Sequence, residues 1–266
     1  MSIRHYIPRR RHRGVSTKAR FAMLISLLAT IFLQMAYPLL NGTALTVVTN
    51  TTVLMGALSM AIHAQLAYGR KYASRLIFIT YLFAFTVELI GTTTTWPFGV
   101  YTYDASLGID VLGVPLIVPC AWIMMAHPVL IAARSLTKHW VFIYGGLTLA
   151  AWDYFLDPQM VEAGRWHWSE ITSSLPGTPM IPLSNFFGWT LAGCGLMALL
   201  NFFLPFDRRK DGAHNSAISI FLTWVLFSAI VGNLFFFDRP IVALLSAVFF
   251  GGLITPYLLK STLGDS

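Results

Sequence analysis

The sequence predicts an all-α polytopic membrane bundle of about eight transmembrane helices, and three observations predict it. The 266 residues are 56% hydrophobic and 11% charged, with a mean hydropathy of +0.66. Soluble domains carry about a quarter charged residues, and a soluble fold of this length could not bury so much apolar surface. Apolar windows of about 20 residues recur along the chain, each long enough to cross a bilayer as a helix. In lipid a segment of this kind must satisfy its own backbone, and only a helix does so. The third observation is charge placement. An even number of spans puts both termini on one side. With the basic N-terminus cytoplasmic, sixteen of the eighteen Lys and Arg residues fall on that side and only Arg165 and Arg239 on the other. That is the positive-inside pattern, and it accounts for the net charge of +7 without a nucleic-acid partner. The N-terminal cluster Arg4, Arg9, Arg10, Arg11 and Arg13 is suited to contact with anionic lipid.

The expected spans are 21–40, 44–67, 76–94, 111–133, 140–156, 183–204, 216–236 and 240–259. Residues 1–20 form a basic cytoplasmic tail and 21–260 a single membrane domain, in a multi-pass protein of the cell membrane. The first span is too long for a signal-peptide core and shows no clear small-residue cleavage site. The second carries Asn50-Thr-Thr, and Asn41-Gly-Thr precedes it. Both match the glycosylation pattern, but a tight turn and a helix are poor settings for it. The third runs LIFITYLFAFTV directly into Glu88. Cys120 and Cys194 lie in the fourth and sixth spans, which argues against a disulfide framework or a zinc site. The fifth, the shortest, holds WDYFLDP, where Pro158 is expected to end the helix. The last two spans carry no acid before Asp238 and no candidate chemistry.

Two connections on the outer side are long, 95–110 and 157–182, and both are rich in Gly, Pro, Trp and Tyr. Loops of that length in a compact protein are usually functional or disordered, and aromatic content argues against disorder. The acids share this bias. Asp207, Asp211 and Asp265 are cytoplasmic. Glu88, Asp104, Asp110, Asp153, Asp157, Glu162, Glu170 and Asp238 fall in outer loops or outer halves of spans.

Glu88 and Asp153 lie about 12 and 13 residues into their spans from the cytoplasmic end, hence at a common depth of roughly 18 Å. Ionisable groups at such depth are costly and usually face the bundle interior. Apolar surroundings and a neighbouring carboxylate favour a carboxyl that keeps its proton, as general acid catalysis needs. The plain alternative is a structural hydrogen bond to another helix. Asp157 follows Asp153 by one helical turn on the same face. Two acids so spaced resemble the Mg²⁺-diphosphate sites of membrane prenyltransferases. The outer side, however, has almost no Lys or Arg to hold diphosphate, and no metal site is expected; Asp157 could equally cap the following turn. Asn185, at the outer end of the sixth span, can orient a water or cap its helix. Trp96, Phe98, Tyr101, Tyr103, Trp152, Trp166, Trp168 and Trp189 are the candidate lining of an apolar slot, since aromatic faces tolerate a cation; an interfacial belt would account for about half of them. His63 and His127 fall near cytoplasmic helix ends, His5, His12, His139 and His214 at cytoplasmic edges, and only His167 joins the outer cluster.

The blocks ELIGTTTTWPFGVYTYDASLG, VPLIVPCAWIMMAHP, WDYFLDPQMVEAGRWHW and PLSNFFGW resemble the membrane-integral carotenoid hydratases, a family that includes carotenoid 1,2-hydratases and bisanhydrobacterioruberin hydratase and is often labelled carotenoid biosynthesis protein. The resemblance covers about residues 80–200. It implies addition of water across the terminal C=C of an acyclic carotenoid end group, giving a tertiary alcohol, with no cofactor. It also implies a substrate drawn from the bilayer, with membrane lipids and other enzymes of the carotenoid pathway as candidate partners.

The chemistry of that reaction assigns expected roles. Glu88 or Asp153 donates the proton. The other carboxylate, with Asn185, orients the water and takes its proton. The aromatics wall the slot. A carotenoid end-group cyclase would share the protonation step and trap the cation internally. A pigment-binding scaffold or a transporter would need no acid, and a transporter would show inverted repeats, of which the sequence gives no convincing sign.

Overall fold

The computed structural model describes residues 16–205 and 215–263. The N-terminal arginine cluster, Asp207, Arg208, Arg209, Lys210, Asp211 and Asp265, and His5, His12 and His214, lie outside the described residues. Among the described residues there are eight long helices: α1 (Thr17–Ala36), α2 (Gly42–Tyr68), α3 (Arg70–Thr94), α4 (Val118–Leu136), α5 (Val141–Glu162), α6 (Leu183–Phe203), α7 (Ser216–Phe235) and α8 (Pro240–Leu263). Seven are long and apolar enough to span a membrane. The eighth is α5, whose apolar run is broken by Gly145, Gly146, Asp153 and Asp157.

Three boundaries correct the expectation, the first being the start of α3 at Arg70 rather than near 76. The fourth helix begins at Val118 rather than near 111. Residues 110–115 instead form a small hairpin, β2 (Asp110–Val111) with β3 (Val114–Pro115), turned by Leu112 and Gly113 at positive φ. Positive φ is a turn conformation and cannot continue a helix. Pro158 does not end α5, which runs another turn to Glu162. A proline inside a membrane helix is tolerated where neighbouring helices enclose the freed backbone.

Every residue of α4 from Trp122 to Ala133 is buried, so α4 is the central helix, apolar all round as a buried helix must be. Helices α2, α3, α5 and α8 pack around it. The α5–α6 contact is the tightest approach. A Cβ on Gly193 would lie 3.0 Å from the Gly146 backbone, and one on Gly146 would strike Cys194. Small residues let membrane helices close on each other, and this contact fixes Asp153 and Asp157 of α5 against Asn185 of α6.

The two long loops meet at one end of the bundle. β1 (Tyr101–Tyr103) and β4 (Trp166–Trp168) pair antiparallel, with Tyr101 opposite Trp168 and Tyr103 opposite Trp166. Strand side chains alternate in direction. Tyr101, Tyr103, Trp166 and Trp168 therefore share the inward face of this lid. Thr102 and His167 share the outer one, with Thr102 Oγ1 and His167 Nε2 3.2 Å apart. The Asp104 N–H donates to Arg165 O at 2.8 Å and extends the pairing.

Candidate active site

Beneath the lid is a chamber of about 90 Å³ with two carboxyls, Glu88 and Asp157, in its lining. Glu88, on α3, is buried and accepts three hydrogen bonds. Tyr101 Oη and Tyr103 Oη each donate to Oε2 at 2.7 Å, and Trp122 Nε1 donates to Oε1 at 3.2 Å. Burial, with the Glu88 charge beside them, pushes both phenols above their ordinary value, so they remain O–H donors. The local sequence permits this approach because residue 91 is glycine: a Cβ there would stand 2.6 Å from Tyr101 Oη and 2.8 Å from the Phe98 ring.

The second acidic group is a knot between α5 and α6. Asn185 Nδ2 donates to Asp153 Oδ2 at 2.9 Å and to Asp157 Oδ2 at 2.6 Å. One amide thus holds both carboxyls, and Asp153 Oδ1 is buried with no hydrogen-bond partner; two carboxyls so close in a buried site favour a proton kept on the pair. Trp166 Nε1 donates to Asp157 Oδ1 at 3.1 Å. All three knot residues are buried.

Most of the predicted residues come together here. Glu88, Asp157, Asn185, Phe98, Tyr101, Tyr103, Trp152, Trp166, Trp168 and Trp189 all line the chamber. Two expectations are corrected. Asp153, not Asp157, was expected as the partner of Glu88. The structure puts Asp157 in the chamber lining and Asp153 behind it, because the chamber lies one turn nearer the lid. Trp96 is 60% exposed and is not part of the lining. His167, expected in the outer cluster, stands in the lid on its outward face. Neither Asn185 nor Asp157 caps a helix: α6 has no side-chain cap, and Asp157 sits inside α5. Glu88 and Asp153 share a depth, but no hydrogen bond joins them among the described residues.

Among the lining residues that escaped sequence reasoning are Trp122 and Asn50. Trp122 donates to Glu88 and stacks on Trp189, centroids 4.3 Å apart and planes 8° from parallel. Its place in VPLIVPCAWIMMAHP was the available signal. Asn50 lines the chamber, with Nδ2 3.5 Å from Ser106 O, a setting that leaves no room for a glycan. His63 Nδ1 and His127 Nε2 lie 2.9 Å apart in the core, in neither the chamber nor its walls. Among the described residues no three His, Cys, Asp or Glu side chains gather as a metal site would need.

A polytopic helix bundle with buried carboxyls in an aromatic chamber under a two-strand lid is the class that fold and site define. The carotenoid biosynthesis protein family model matches residues 48–253, and the chain belongs to that family. It is similar to the bisanhydrobacterioruberin hydratase of Haloarcula japonica, 30% identical over 146 residues, which are 52% of this chain and 47% of that protein. The match thus spans about half the length of that relative. No solved structure matches the chain.

Proposed function

We propose that the protein is a cofactor-independent carotenoid hydratase that adds water across the terminal C=C of an acyclic carotenoid end group. The observation that supports this best is the presence of two unlike acidic groups in one apolar, aromatic chamber. Asp157, bridged to Asp153 by the Asn185 amide, is the proton donor. Glu88, held as an acceptor by three neutral donors, is the base.

Hydration of a trisubstituted alkene starts with a proton delivered to the less substituted carbon by the Asp153–Asp157 pair. The π electrons form the new C–H bond, and a tertiary carbocation remains. Trp166, Trp168 and Trp189 line the chamber, and aromatic faces attract cations. A water attacks the cation, forms the C–O bond and loses a proton to Glu88. Glu88 Oε1 accepts only Trp122 and keeps a lone pair for it. Return of that proton from Glu88 to the aspartate pair closes the cycle, with alkene and water consumed and a tertiary alcohol formed. The substrate comes from the bilayer, so the expected setting is the cell membrane, with both termini cytoplasmic and membrane lipids and other carotenoid-pathway enzymes as neighbours.

The test is pigment analysis by mass spectrometry in a host that makes acyclic carotenoids, with the wild type beside Glu88→Gln and Asp157→Asn. Products heavier by one or two waters in the wild type alone are expected. Products of unchanged mass and altered spectrum would instead establish a cyclase. No new pigment, even from a fifty-carbon precursor, would point to a scaffold or transporter.

A further inference from the structure

A second chamber adjoins the first. Its volume is about 310 Å³, against about 90 Å³ for the acid chamber. It lies among α1, α2, α5 and α7. Thr49, Val53, Met124, Trp152, Leu156 and Met160 line both chambers, so the two are divided by a thin and mainly apolar wall. Methionine side chains such as Met124 and Met160 are flexible and repack readily.

The chambers differ in how they meet the outside. Every residue lining the acid chamber is buried or half-buried. In the larger chamber Met35, Phe227 and Phe236 also line the cavity, and they are 52%, 53% and 52% exposed. Met35 is on α1, Phe227 on α7 and Phe236 directly after α7. The larger chamber therefore opens sideways between α1 and α7, on a face of apolar side chains that lipid would cover. Most of its lining is apolar, and two of its polar side chains are engaged nearby: Trp224 Nε1 donates to Gln34 Oε1 at 2.6 Å, and Ser228 Oγ donates to Val225 O at 3.1 Å. Such a lining suits a ligand without polar groups.

We propose that this chamber is the lateral port and seat for the chain of an acyclic polyene. The polyene enters from lipid between α1 and α7, leaves its chain in the larger chamber, and passes only its end group beyond Met124 and Met160 to Glu88 and Asp157. The delivery of the end group rests on the hydration reading; the chain seat needs only a polyene ligand. The arrangement divides the work. Chain burial in the larger chamber supplies binding energy through apolar contact, and the smaller one, lined only by buried and half-buried residues, holds the reacting carbons.

The test fills the larger chamber without touching the smaller. Ser228 is half-buried and lines only the larger one. The full-length wild type, Ser228→Phe and Ser228→Ala would be purified from membranes of a host making an acyclic carotenoid. Retained pigment would be read by absorbance per protein, and hydrated product by mass spectrometry. The wild type and Ser228→Ala are expected to retain pigment, and Ser228→Phe to lose it about tenfold, as an overfilled cavity should. If Ser228→Phe fails to fold, Val231→Phe fills the same chamber. A filled variant that folds and retains pigment at the wild-type level would overturn the proposal, as would a wild type that carries phospholipid and no pigment. A wild type that retains pigment in a Ser228-dependent way yet forms no hydrated product would overturn the hydration reading and leave the seat standing.

Discussion

The two acidic walls of the small chamber are built from the same functional group and behave as opposites. Glu88 faces three neutral donors, two phenols from β1 and an indole from α4. Asp157 faces an amide, an indole and another carboxyl. Donors that crowd an oxygen favour the form that only accepts, whereas two buried carboxyls side by side favour keeping a proton on the pair. Where two acids in one site sit in unlike surroundings, their acid and base roles separate. The difference between the walls is thus the basis for assigning the donor to Asp157 and the base to Glu88.

The largest expected effect tests the donor wall. Asp157→Asn keeps the shape and removes the proton; a general acid contributes roughly 10²–10⁴-fold, and hydration should fall by about that factor. Glu88→Gln should cost a similar or somewhat smaller factor, about 10²-fold or more, and the two differ in what survives. In D₂O, Glu88→Gln retains protonation of the alkene and reversal of that step, so recovered substrate gains deuterium without hydration. Asp157→Asn gains neither. Mass spectrometry of recovered pigment reads both quantities. Deuterium gain in Asp157→Asn and none in Glu88→Gln would exchange the two roles.

Smaller effects follow from the neighbours. Tyr103→Phe removes one O–H from Glu88. Hydrogen bonds to charged groups are worth about 1.5–3 kcal/mol, so the hydration rate should fall roughly tenfold or more. Because burial and Glu88 raise both phenols, they stay protonated well past neutrality. No loss of rate is therefore expected from phenol ionisation as pH rises from 7 to 9. Trp166→Phe keeps a ring in the lid and withdraws one donor from Asp157. A neutral donor contributes about 0.5–1.5 kcal/mol, hence a loss of a few-fold, read in the same pigment assay.

How much of this was legible in the sequence differs between the bundle and the lid. The helices follow from apolar length and backbone satisfaction, which are local, so all eight were placed; the start of α3, the start of α4 and the end of α5 shifted by six or seven residues and the other ends by four or fewer. Asp153 and Asp157 were separable only in part, because helical spacing puts both on one face and the difference between lining and backing is set by where α6 delivers Asn185. The lid was missed as a sheet. Tyr-Thr-Tyr and Trp-His-Trp carry the alternation of a half-buried strand, but three residues are too few to call, and their partners lie more than sixty residues apart. Trp122 was invisible for a related reason: a tryptophan in a wholly buried helix has the same pattern whether it packs or donates to Glu88.

The smallest expected effect concerns Trp96, the member of the aromatic set that stands apart. It follows Thr95, whose positive φ closes α3, and its ring points away from the chamber that Phe98, two residues on, helps to line. An exposed residue without a buried partner typically changes stability by within about 0.5 kcal/mol. Trp96→Ala should therefore leave hydration within about twofold of the wild type, while Tyr103→Phe lowers it further despite the far smaller change in side chain. A tenfold loss in Trp96→Ala would mean that the aromatic lid extends beyond β1 and β4 when substrate is bound, and the contrast between a lined chamber and an outlying ring would fail.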